Sequence, residues 1–221
     1  MATNLDQQIT TPAQPNLGSP GQLYEERFFT QSFGGLNVYF AKLTAIFAAL
    51  FGPRGGKWVN NPYGAFQDGT DQTAANTTTA YAITFDTTDF SNGVTLSNSS
   101  RLNVSQAGIY NIQFSAQLEN TTNDTQDVEI WFRKNGSDIA KSNSRFGLPA
   151  RKSSGDPSHT VAAMNFYASL VSGDYVQLMW RTSDVGVAIQ HYAAGTTPTR
   201  PVIPSVIVTV SYVSNLSQET A

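Results

Sequence analysis

An antiparallel β sandwich or jelly roll behind a single amphipathic helix is the fold this sequence predicts. Three observations carry that prediction. From about Gly64 the apolar period changes from helical to two. The period-two segments are short and are separated by turn signals. Only 13% of residues are charged, about half the usual share, and Thr, Ser, Asn, Gln and Gly take their place, which suits strands with a hydroxyl and amide surface.

The chain of 221 residues with 40% apolar content is long enough for one domain with an appendage. Its net charge of -3 and the absence of any basic run argue against a phosphate-backbone ligand. With no cysteine, disulfides, thiolate metal sites and cysteine nucleophiles are excluded. The two histidines, His159 and His191, have no sequence neighbour that would complete a metal or acid/base pair.

Residues 1–18 read as an extended attachment arm, proline-bearing and aperiodic. They hold Asp6 and no basic residue, so they do not form a secretory signal. Residues 19–52 read as a helix. Ser19, Pro20 and Gln22 resemble an N-cap with its capping box, Glu25 and Glu26 favour the first turns, and Gly52-Pro53 is a stop. Within it Phe29, Phe33, Leu36, Phe40, Leu43, Phe47 and Leu50 are spaced 4-3-4-3-4-3, a heptad seam with Phe33, Phe40 and Phe47 at a. Phenylalanine at every a position is too bulky for a slim dimer and suits three or more helices. A helix packed on its own domain is the alternative. The cleanest apolar run, Val38 to Phe51, is 14 residues and contains Lys42, so no membrane span is expected.

Residues 53–63 read as a linker, and 64–221 as the head domain. In "GIYNIQFSAQLEN" Tyr110, Ile112, Phe114, Ala116 and Leu118 face one way. "DVEIWFRKNGSDIA" buries Val128, Ile130 and Phe132, then turns at Asn135-Gly136, where both residues accept positive φ. "HTVAAMNFYASL" and "DYVQLMWRTS" are joined by "VSGD", read as a hairpin turn. "PSVIVTVSYV" is apolar on both faces, as a central strand or a subunit contact would be. No helix is expected after Pro53.

"AGIYNIQFSAQLEN", the "RKNGSDIA" hairpin, "LVSGDYVQLMW" and "PSVIVTVSYV" together resemble the jelly roll of the tumour necrosis factor and complement globular-head family. The resemblance implies a homotrimer in which side chains meet around a threefold axis. It offers Tyr110, Phe114, Val206, Val208, Val210 and Tyr212 as trimer contact or core. The whole chain, including "NPYGAFQDGTDQTAANTTTAYAITFDTTDFSNGV" and "HYAAGTTPTRPVIPSVIVTV", also resembles virion structural proteins of marine tailed bacteriophages. That implies a non-enzymatic protein on the outer surface of capsid or tail. Its arm and helix would anchor it to capsid or tail proteins, as a head fibre or capsid decoration. The alternative is a tail fibre or adhesion module whose head binds host-surface glycan.

No catalytic set, metal site or cofactor is expected. The aspartate pairs Asp68/Asp71, Asp86/Asp89 and Asp124/Asp127 read as turn formers rather than calcium ligands. Trp131, Tyr167 and Tyr192 are candidate ligand-facing aromatics, with Trp180 beside them, and residues 121–127 and 147–158 are candidate outer loops.

Overall fold

The computed structural model describes residues 26–51 and 61–215, with residues 13 and 15. The Ser19 cap, the Gly52-Pro53 stop, nearly all of the arm and most of the linker lie outside the described residues. The chain divides into two compact units, residues 1–61 and 62–221.

In the first unit, helix α1 spans Glu26–Phe51, with Glu26 in its first turn. The side chains at a are open: Phe33 is 61% exposed, Phe40 57% and Phe47 53%. Leu36 and Leu43 at d are half-buried, and the Phe29 and Phe33 rings stack 6.3 Å apart. The Leu50 side chain lies outside the described residues. Among the described residues no helix is long and apolar enough to cross a membrane.

The second unit is two antiparallel sheets packed face to face, with strands numbered along the chain. Sheet one runs β2 (Gln72–Thr73), β13 (Val187–Ile189), β7 (Gly108–Asn120), β16 (Val206–Ser214), β1 (Tyr63–Asp68), β4 (Thr87–Asn92). The other edge of β7 pairs along all 13 residues with β11 (Ser158–Leu170). Sheet two runs β10 (Ser144–Leu148), β8 (Gln126–Lys134), β12 (Tyr175–Thr182), β6 (Arg101–Val104), β5 (Val94–Ser97). Two short strands extend it: β3 (Tyr81–Ala82) pairs with β12, and β9 (Ser137–Asp138) pairs with β8. A ribbon of β14 (Gly195–Thr196) and β15 (Thr199–Arg200) completes the set.

The period-two residues form the core as their spacing dictates. Tyr110, Ile112, Phe114, Ala116 and Leu118 of β7 meet Val128, Ile130 and Phe132 of β8 across the gap. Phe132 lies 4.9 Å from the Phe166 ring, stacked, and 6.1 Å from Phe114, edge-on. Val206, Val208 and Val210 close the core from β16. Trp180 belongs to it as well, at 1% exposed, which corrects its expected place on the surface. Its partner across the ladder is Ile130, an inward residue, and opposite residues share a face.

Asn135 and Gly136 have φ of 48° and 85°, the two positive values a type I′ hairpin needs. The Val171–Asp174 turn differs from expectation. It is tight, with the Asp174 N–H donating to the Val171 carbonyl at 3.0 Å and the Val171 N–H to Asp174 Oδ2 at 2.8 Å. Yet β11 lies in sheet one and β12 in sheet two, so the turn changes sheets instead of pairing its flanking strands. Local residues set the reversal, while burial of both strands' apolar faces in one core sets the partners.

Both strand ends of this unit emerge together, since the Tyr212 N–H donates to the Pro62 carbonyl at 2.9 Å. The turns at 105–107, 135–136 and 171–174 share that end. Loops 121–125, 149–157 and 183–186 gather at the opposite end, where β7 finishes and β11 starts.

Candidate interaction surfaces

The two outer faces of the sandwich differ in chemistry. No strand of sheet one contains Lys or Arg. Away from its edges the outer face is made of Asn111, Gln113 and Ser115 of β7, Ala163, Asn165 and Tyr167 of β11, and Ile207, Thr209 and Ser211 of β16. Asn111 donates from Nδ2 to Asn165 Oδ1 at 2.7 Å, which neutralises two amides inside the face. Tyr167, Val161, Ile207, Tyr63 and Phe90 stand out of it as exposed large side chains, and Tyr63 and Phe90 touch edge-on at 6.0 Å. Small residues and aromatics without Lys or Arg resemble the composition of an interface core, with the carboxylates Glu119 and Asp89 set toward the edges.

The residues expected as trimer contact or core lie inside. Tyr110, Phe114, Val206, Val208 and Val210 are buried in the sandwich. Tyr212 is half-buried with its ring edge-on to Tyr110 at 5.6 Å. The Tyr110 hydroxyl donates to the Gln106 carbonyl at 2.8 Å, and burial, helped by Tyr212, holds its pKa above the usual phenol range. Surface positions on the same strands, such as Ile207 and Gln113, have the opposite parity.

Sheet two is the charged sheet, and its strands hold Arg101, Arg133, Lys134, Arg145 and Arg181. Glu129 on β8 faces Arg145 on β10 and Arg181 on β12 in the ladder. Its Oε1 accepts from Arg145 Nη2 at 2.7 Å and from Arg181 Nη2 at 3.0 Å, and Oε2 accepts from Arg181 Nε at 3.1 Å and Asn143 Nδ2 at 3.2 Å. The bonds from Arg181, then Arg145, lower the Glu129 pKa to about 2. Trp131, next outward on β8, donates from its indole N–H to Asp138 Oδ1 at 2.9 Å. Arg133 Nε donates to that same oxygen at 2.7 Å, and this bond first, then the one from Trp131, holds the Asp138 carboxyl below the usual range.

No family model matches the chain, and no curated protein matches it either. The surfaces must therefore be read from their own chemistry.

Of the other candidate aromatics, Tyr167 belongs to sheet one's outer face and Tyr192 is engaged at the root of the β14–β15 ribbon. Tyr192 donates its O–H to Glu119 Oε2 at 2.8 Å and lies 2.8 Å from His159 Nδ1. Since the single phenol proton goes to Glu119, the bond to His159 needs an Nδ1–H donor. Burial first, then Glu119, holds the Tyr192 hydroxyl protonated well above its usual pKa. The backbone of Tyr192 exchanges two hydrogen bonds with Ile203, at 3.0 and 2.9 Å.

The candidate outer loops meet at Asn120, which is fully buried. Its amide donates to the Asp124 and Pro149 carbonyls at 2.9 and 2.8 Å, and its oxygen accepts from the N–H and Oγ1 of Thr122, both at 2.8 Å. No sequence signal distinguishes this Asn from its neighbours, because its role depends on loops 29 residues apart. Among the described residues no three acidic or histidine side chains group as a metal site. The buried Asp68 carboxylate accepts from Thr70 N, Thr70 Oγ1 and Thr84 Oγ1, and Asp86 accepts from Gly69 N, so these carboxylates brace turns.

Proposed function

We propose that this protein is a non-enzymatic structural component of a tailed-bacteriophage virion, a homotrimeric head fibre or capsid decoration whose arm and helix attach to the particle and whose head is displayed. The observation that carries the reading is the pairing of two surfaces suited to self-association. Sheet one's outer face lacks Lys and Arg and carries exposed aromatics, and α1 exposes the phenylalanines of a heptad seam. Both match the chemistry of subunit contacts. A jelly roll is supported by the way consecutive long strands, β6, β7, β8 and then β10, β11, β12, alternate between the sheets. The resemblance to phage virion proteins supplies the setting, and with it the absence of catalytic chemistry.

The test is light scattering of the full chain beside one starting at Pro62, with antibody labelling of virions. Trimers of both assign assembly to the head; a trimer of the full chain alone assigns it to the α1 seam. Monomers of both, or unlabelled particles, overturn the reading.

A further inference from the structure

We infer that the outer face of sheet two carries a carbohydrate-binding site centred on Trp131. This adds a ligand to the displayed head proposed above. Three aromatics were candidates, and two are committed elsewhere: Tyr192 to Glu119 and His159, and Tyr167 to the face without Lys or Arg. Trp131 remains, in a setting that the strand register builds around it. Along β8 it stands between Glu129 and Arg133; across the ladder on β12 is Met179; and Asn143 leads into β10 on the other side. Asp138, from β9, is held at the edge of its ring by the indole N–H and Arg133.

An apolar ring surrounded by planar polar groups is what a sugar requires. The C–H face of a pyranose stacks on an aromatic ring, while adjacent hydroxyls bond in pairs to carboxylate, amide and guanidinium edges. Here these edges already fix one another. Arg145 and Arg181 grip Glu129, Asn143 donates to Glu129, and Arg133 and Trp131 share Asp138. Side chains held in this way lose little freedom when a ligand arrives. Asp127, exposed on β8 beside Glu129, also acts on Arg181, so three guanidiniums face three carboxylates and the patch is close to neutral, which suits uncharged sugars best. A protein partner would call for apolar anchors. Among the described residues, β5, β6, β8, β10 and β12 carry no exposed large hydrophobic side chain, and Trp131 is half-buried among its polar neighbours and not a protruding anchor.

The test applies the full chain to an immobilised panel of bacterial O-chain and capsular oligosaccharides, neutral and uronic-acid-bearing, followed by calorimetry with any that bind. At least one member is expected to bind. Trp131→Ala should weaken that binding about tenfold or more, and Trp131→Phe by less. If Trp131→Ala loses its melting transition, Asn143→Ala at an exposed position replaces it, with a several-fold loss expected. No binding across the panel, or unchanged affinity in the folded variants, overturns the site. Trp131→Ala protein should still be incorporated into particles, so failure of the sugar site and failure of the virion reading are read separately.

Discussion

Glu129 is the residue whose charge the fold depends on most visibly. Its side chain is 13% exposed, and two arginines and an amide hold it ionised down to about pH 2. A carboxyl whose folded pKa lies below its unfolded value stabilises the fold above the unfolded pKa, and the contribution is lost as pH falls through the folded one. Glu129→Gln should therefore cost about 1–2 kcal/mol at neutral pH, the exposure of both arginines limiting the figure. Urea midpoints measured from pH 7 to pH 2 should converge with those of the unaltered protein at the acid end. At this scale the sequence was only half legible. Trp131 and Trp180 read alike as strand aromatics, yet one faces solvent-side polar groups and the other the core. In the ladder Met179 is opposite Trp131 and Ile130 opposite Trp180. Pairing decides between them, and a single strand does not contain its own pairing.

Elements with a strong local pattern were legible. The five inward residues of β7 and the Asn135-Gly136 turn follow from alternation and from tolerance of positive φ. The helical state of residues 26–51 was legible in the same way. Which sheet each strand joins was not legible, as the Val171–Asp174 turn demonstrates. The loop cluster depends on one buried amide in a similar long-range manner. Asn120→Ala would leave the Thr122 N–H and two carbonyls without their partner, and the expected loss is about 2–4 kcal/mol. Thermal unfolding measures the loss, and trypsin should cut sooner at Arg151 and Lys152 as loop 149–157 loosens.

For the whole molecule, the absence of Lys and Arg from the strands of sheet one bears on the proposed assembly. Ile207 lies on the outer face of the central strand β16, 39% exposed, with no role inside the sandwich. Ile207→Arg should leave the melting of the isolated head nearly unchanged and, under the trimer proposed above, convert it to monomers in sedimentation velocity, because a desolvated unpaired charge is costly in an interface. This asymmetry was hidden in a sequence whose net charge is only -3, since it emerges only after strands are assigned to sheets.

The meeting of Pro62 with Tyr212 gives the head a polarity along its strands. Cargo joined beside either of these strand ends would crowd that pole of the head. A peptide inserted at the exposed Ser154-Gly155, where Gly155 has a φ of 83°, would stand at the other pole, about 40 Å away along the 13 residues of β7. The head is in that sense a ready display scaffold, with one pole for tethering and another for presenting foreign sequence to the medium.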